Sequence, residues 1–272
     1  MRVATPNLRP GLSSARYLSA VIAAAVLIAA FPVRAADIPL SQRRSSFEHM
    51  SGDTKAMQQE DTANPGRLWV LDGEALWRAK AGQANLACAG CHGEADKTMR
   101  GVAARYPAFD AKHGSAVDLG GRVNMCRVEQ QKAAPLALES KELLALMAYI
   151  ARQSRGLPIE SSDAQLEPFI AAGRAIFQRR QGQLNLACAQ CHDDNWGQKL
   201  AGITVPQGHP TGYPLYRLEW QMLGSLQRRL RNCMIGMRSE SYAYGSPEYL
   251  ALETFLMWRA RGMPMESPAV RP

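Results

Sequence analysis

The sequence predicts a mainly α protein built from two tandem copies of one module, and three features carry that reading. The segments Gly73-Glu74-Ala75-Leu76-Trp77 and Gln83-Ala84-Asn85-Leu86-Ala87-Cys88-Ala89-Gly90-Cys91-His92 return at an offset of 100 as Gly173-Arg174-Ala175-Ile176-Phe177 and Gln183-Leu184-Asn185-Leu186-Ala187-Cys188-Ala189-Gln190-Cys191-His192. The segment from Ser140 to Pro158 returns at an offset of 106 from Ser246 to Pro264, with Arg-Gly-x-Pro closing both copies. No stretch shows the sustained apolar and polar alternation of a half-buried strand. One order of parts used twice at a long period is most simply a duplicated unit.

Taken in chain order, residues 1–35 contain four arginines (Arg2, Arg9, Arg16, Arg34) and no acid, with an almost wholly apolar run from Tyr17 to Val33 and small residues near Ala35. This pattern predicts a secretory leader that is cleaved, because the run is shorter than a spanning helix requires and its flanks suit processing. No later stretch is apolar enough to span a bilayer, so no stable membrane insertion is expected after cleavage. The formal charge is +8 for the whole chain, and removing the leader's four arginines leaves +4. A mildly basic exported protein suits an acidic protein partner or a small anion and argues against nucleic acid.

Residues 36–68 are polar and aperiodic, with Arg43-Arg44-Ser45-Ser46 and Asn64-Pro65-Gly66, and are expected to form an extended arm. The first module is expected over 69–158 and the second over 159–272, joined at the polar break around Ser161-Ser162-Asp163. Each module ends in a helix with complete signals: a serine N-cap, an acid in the first turn, apolar residues at helical spacing, arginine in the last turn, then glycine and proline.

Two cysteines three apart with a histidine directly after the second is the spacing of covalent haem c attachment. Structural zinc would pair two such knuckles 15–20 residues apart, whereas 96 residues separate Cys91 from Cys188, and a redox dithiol would need a βαβ surround. Two covalently bound haem c groups are therefore expected, attached through Cys88 and Cys91 and through Cys188 and Cys191, with His92 and His192 as proximal iron ligands. A helix before the motif and a helix at the module end is the plan of a cytochrome c domain.

The remaining cysteines, Cys126 and Cys233, are related by an offset of 107, and Arg122 and Arg229 each precede one of them by four residues. On a helix that spacing shares a face, and a cation there favours the thiolate, the form that binds iron. Two readings stay open: each cysteine is the distal ligand of its own haem, or the two form a disulfide. Equivalent places beside separate haems favour ligation. Met99, Met125 and His113 in the first module, and His209, Met222, Met234 and Met237 in the second, are the ordinary competitors as distal ligands. The run Arg228-Arg229-Leu230-Arg231 is a solvated face by default; beside a thiolate it is also a receptor for a tetrahedral oxyanion. Trp196, Trp220 and Trp258 more often line a core or a haem pocket than a substrate site.

The tandem Cys-Ala-x-Cys-His modules, the single cysteine downstream of each, and the stretch Arg228-Arg229-Leu230-Arg231-Asn232-Cys233 resemble the SoxA subunits of SoxAX cytochromes, the L-cysteine S-thiosulfotransferases of sulfur-oxidising bacteria. The resemblance covers nearly all of the chain after the leader. It implies a periplasmic heterodimer with a SoxX-like monohaem cytochrome c. It also implies that Cys233 is both distal haem ligand and catalytic residue, held as a cysteine persulfide, with Arg229 binding substrate. The implied reaction joins thiosulfate to a cysteine of the carrier protein SoxY and passes two electrons through haem to a cytochrome acceptor. Some relatives lack the first haem; here Cys88, Cys91 and His92 are all present. Competing functions are a thiosulfate dehydrogenase that forms tetrathionate, separable by an assay without carrier, and a passive dihaem electron carrier, whose cysteine would be buried and inert. A dihaem peroxidase is disfavoured, because cysteine ligation of both irons leaves no open position for peroxide.

Overall fold

The computed structural model describes residues 37–161 and 163–272, together with Met1, Arg2 and Ala4. Apart from Met1, Arg2 and Ala4, the expected leader thus lies outside the described residues. Residues Ala35–Pro272 form one compact unit, and no described helix is long and apolar enough to cross a membrane.

Residues 37–65 are not the extended arm expected from their polarity. They hold two short 3-10 turns and helix α1 (Gly52–Gln59), whose N-terminus is capped by the Ser51 hydroxyl accepting from the Thr54 N–H at 3.3 Å. The helix was illegible because what it buries is polar: Thr54 and Gln58 give no apolar periodicity. Gln58 instead accepts from the Val270 N–H at 3.1 Å, and the Asn64 amide donates to the Pro268 carbonyl at 3.0 Å. These bonds tie the segment to strand β7 (Ala269–Arg271) at the far end of the chain.

Each module then repeats one order of elements. In the first, α2 (Gly66–Arg78) leads to the motif helix α3 (Cys88–His92), α4 (Ala95–Thr98), the hairpin of β1 (Ala108–Asp110) and β2 (Ser115–Val117), α5 (Leu119–Cys126) and α6 (Lys141–Arg152). In the second, α7 (Glu167–Gln178) leads to the motif helix α8 (Cys188–His192), a small hairpin β3 (Lys199–Leu200) and β4 (Ile203–Thr204), the hairpin β5 (Leu215–Arg217) and β6 (Met222–Gly224), α9 (Leu226–Gly236) and α10 (Pro247–Arg259). Strand β7 runs parallel to β5. The strands are two or three residues long, too short for a period-two pattern to show in sequence.

The terminal helices form for the reasons their sequences state. The Ser140 and Ser246 hydroxyls accept from the Leu143 and Tyr249 N–H groups, and Glu142 and Glu248 occupy the positive first turns. Helix α6 crosses α2, and α10 crosses α7, as the main packing of each module. Both crossings turn on a glycine. A Cβ on Gly73 would lie 2.1 Å from the Ala145 carbonyl oxygen, and one on Gly173 would lie 2.0 Å from that of Ala251, so only glycine permits the approach.

The modules are interlocked rather than merely adjacent. Ala116 of β2 belongs to the core of the second module, while Tyr216 and Leu223 of β5 and β6 belong to the core of the first. The two Arg-Gly-x-Pro ends also pair, with the Gly156 and Met265 N–H groups donating to the Met265 and Leu157 carbonyls at 2.8 and 2.9 Å.

Candidate haem centres and active site

The first motif helix opens onto a cavity of about 290 Å³ lined by Trp77, Cys88, Cys91, His92, Met99, Arg122 and Cys126, among mainly apolar neighbours. The second opens onto one of about 610 Å³ lined by Phe177, Cys188, His192, Tyr213, Arg217, Arg229 and Cys233, and by Ser46, His49 and Met50 of the N-terminal segment. Cys191 sits beside the second cavity on α8 rather than on its lining. All six thiols are free, and Cys126 and Cys233 face different cavities, which removes the disulfide reading. Each cavity has an imidazole from the motif helix and a thiol from the later helix, with Cys88 and Cys91 lining the first and Cys188 the second, where Cys191 stands alongside. That donor set, in an apolar slot, fits haem c held by thioethers with histidine and cysteine on the iron.

The proximal imidazoles are held differently. His192 donates from Nδ1 to the Pro206 carbonyl at 2.7 Å, which fixes its tautomer and leaves Nε2 for a metal. Arg259, 2% exposed, pairs with Asp193 and reaches the His192 carbonyl, pinning the end of α8. His92 instead lies against the Trp77 ring at 5.7 Å, and the Trp77 indole donates to the Gly93 carbonyl at 3.0 Å.

The competing ligands are mostly accounted for elsewhere. His113 is tied to Asp110 at 2.8 Å, His209 to the Arg44 carbonyl at 3.1 Å, and Met222 to Arg228 at 3.1 Å. Met234 and Met237 are packed in the second core; Met99 is in the first core and also reaches its cavity.

The two downstream cysteines meet opposite electrostatics. Burial pushes the Cys126 thiol up, and Arg122 offsets this only in part. Burial also raises Cys233, but the His192 imidazole and the Arg229 and Arg217 guanidiniums outweigh it and bring the thiol down to about 7. Arg122 does not serve its cysteine alone, as its place in the repeat led us to expect. It is held by Asp110 at 2.5 Å. The guanidinium of Arg229, one turn before Cys233 on α9, has no hydrogen bond or ion pair among the described residues; its charge is felt by Cys233, Tyr213 and Glu219. Sequence reasoning missed Arg217, Tyr213 and Pro206 as parts of the second site, although the offset of 107 that links the two cysteines also singles out Arg217.

The model of the SoxA/TsdA cytochrome c domain matches residues 72–159 and again 172–265. The chain belongs to the SoxA/TsdA cytochrome c family. Among SoxA relatives, the L-cysteine S-thiosulfotransferase subunit SoxA of Pseudaminobacter salicylatoxidans is 34% identical over 235 residues, covering 86% of this chain and 82% of the relative. The subunit of the same name from Rhodovulum sulfidophilum is 33% identical over 229 residues, covering 84% and 80%. In three dimensions the chain is similar to the crystal structure of SoxXA from P. pantotrophus, with a TM-score of 0.81 and 29% identity over 85% of this chain and 87% of that one. A cytochrome c domain present twice implies haem c binding, in keeping with the two donor sets.

Proposed function

We propose that this chain is the SoxA-type subunit of an L-cysteine S-thiosulfotransferase and binds two covalent haem c groups. Cys88 and Cys91 hold the first, with His92 and Cys126 on its iron; Cys188 and Cys191 hold the second, with His192 and Cys233. The names of the curated relatives support the activity, and the SoxXA structure supports a SoxX-like monohaem partner. The periplasm is the compartment in which a cleaved leader and haem c attachment make sense together.

One observation carries the catalytic reading: Arg229 stands unpaired beside Cys233 in the larger cavity, whereas its counterpart Arg122 is neutralised. Thiosulfate is a dianion, and bringing it to a sulfur anion in a partly dehydrated pocket is repulsive unless a fixed cation offsets the charge. A carrier thiol R–SH and S₂O₃²⁻ combine to R–S–S–SO₃⁻ with release of one proton and two electrons. The S–H bond breaks and one S–S bond forms. Haem held by these residues would supply the two-electron acceptor that the reaction needs, with a cytochrome as the final acceptor. Arg229 orients the oxyanion end, and Cys233, held as a persulfide in the resting protein, would present the reacting sulfur in the same cavity.

The test is incubation of the holoprotein and its monohaem partner with thiosulfate and a SoxY-type carrier. Mass spectrometry should show the carrier heavier by one thiosulfate group, with two equivalents of cytochrome reduced per adduct. Tetrathionate without carrier modification would make the protein a thiosulfate dehydrogenase. Electron exchange with neither product would leave it a passive carrier.

A further inference from the structure

The two modules correspond position for position around the ligand cysteine. In β1–β2, Ala108 lies opposite Val117 and Asp110 opposite Ser115; in β5–β6, Leu215 lies opposite Gly224 and Arg217 opposite Met222. Asp118 and Ser225 then cap the following helices. One offset of 107 therefore runs from residue 108 to Cys126 and from residue 215 to Cys233. Within that frame the last residue of the first strand reverses charge, from Asp110 to Arg217. The reversal decides the state of the neighbouring helix arginine. Asp110 takes up Arg122 at 2.5 Å and His113 at 2.8 Å, so the arginine that corresponds to Arg229 is already neutralised. Arg217 carries the same charge as Arg229 and offers it no carboxylate, and both line the second cavity with Cys233. Among the described residues, no Asp or Glu side chain lines that cavity.

Arg217 is also built to hold still. It is 9% exposed, its Nε donates to Glu219 at 2.8 Å, and its guanidinium lies over the Trp220 ring at 5.4 Å. Glu219 is 61% exposed, so water screens its charge and it anchors Arg217 without cancelling it. The two terminal nitrogens of Arg217 make no hydrogen bond among the described residues, which leaves a planar pair of donors for the cavity.

We propose that Arg217 is a second substrate-binding residue. With Arg229 it forms a two-arginine receptor for the sulfonate end of thiosulfate, and the aspartate-to-arginine reversal between the repeats is what leaves the helix arginine free to join it in the second cavity. This rests on the transferase reading above. It assigns to one strand position the difference between a haem site that admits the anionic substrate and one that does not.

The test uses the holoprotein in complex with its monohaem partner. Thiosulfate binding is measured by titration calorimetry without carrier, then KM and kcat with carrier, for Arg217→Gln, Arg217→Lys and Arg217→Asp. Arg217→Gln should weaken binding at least tenfold and raise KM more than it lowers kcat, with the paramagnetic resonance spectra of both haems unchanged. Lysine should recover most of the loss. Aspartate should abolish binding, because it captures Arg229 as Asp110 captures Arg122. Unchanged binding and KM in Arg217→Gln would overturn the proposal while leaving the transferase reading intact. An altered second-haem spectrum with unchanged binding would overturn it too, showing action on the ligand sulfur rather than on substrate. A wild-type complex that binds no thiosulfate would overturn both.

Discussion

Cys126 and Cys233 hold one place in the repeat, yet the groups around them differ, among other things, by the reversal of charge from Asp110 to Arg217 and by the freedom of the neighbouring arginine. The asymmetry yields separate expectations. Cys233→Ala should abolish conjugation of thiosulfate to the carrier while haem stays attached through Cys188 and Cys191, checked by carrier mass spectrometry beside a haem stain of the denatured protein. Cys126→Ala should alter the first haem's paramagnetic resonance signal and leave conjugation largely intact. Arg229→Ala should lower kcat/KM by two or more orders of magnitude, the usual cost of one lost transition-state donor. Loss of the second haem's thiolate signal in that variant would instead make the arginine a partner of the ligand.

At the scale of elements, α9 carries both Arg229 and Cys233, and what starts it is the Ser225 hydroxyl accepting from the Arg228 N–H at 3.2 Å. Ser225→Ala removes that bond and should cost about 1 kcal/mol, read as a lower urea midpoint with an unchanged slope. The crossing of α7 and α10 has a sharper requirement. Gly173→Ala places a methyl group where the Ala251 carbonyl already stands, so the helices must separate, at a cost of roughly 1–3 kcal/mol. Both helix pairs were legible from caps, spacing and stop signals, because those signals are local. The hairpins were not, since three residues carry no period; helix α1 was not, since Gln58 and Thr54 replace apolar burial with hydrogen bonds to the C-terminal strand.

At the scale of the molecule, the exchange of hairpins makes each core depend on the other module. Leu223 belongs to the second module by sequence and to the first by packing, and is 0% exposed. Leu223→Ala should cost about 2–5 kcal/mol and lower one shared unfolding transition rather than split it in two, as calorimetry would show. The seam also buries carboxyl groups. Gln227 donates to Asp118 at 2.9 Å and to Glu253 at 3.3 Å, and burial, reinforced by the neighbouring Asp118 carboxylate, raises Glu253 well above the ordinary range. The folded state therefore holds a proton that the unfolded state gives up, and stability falls as pH rises from the ordinary carboxylate range toward the raised value. Glu253→Gln should remove that fall, raising Tm more at about pH 8 than at about pH 5.

The chain by itself determined the duplicated plan, the two Cys-x-x-Cys-His motifs and the pairing of a cysteine with an arginine four residues earlier. Each of these is a short-range pattern in which spacing along the chain dictates which side chains share a face. Tertiary structure alone decided which arginine is free. Arg122 and Arg229 look alike in sequence, but a guanidinium's availability depends on what a neighbouring strand presents to it: Asp110 in one module and Arg217 in the other. It also decided the unequal cavities, because Ser46, His49 and Met50 reach the second one from more than 130 residues away in the chain, and local sequence carries no record of such a contact.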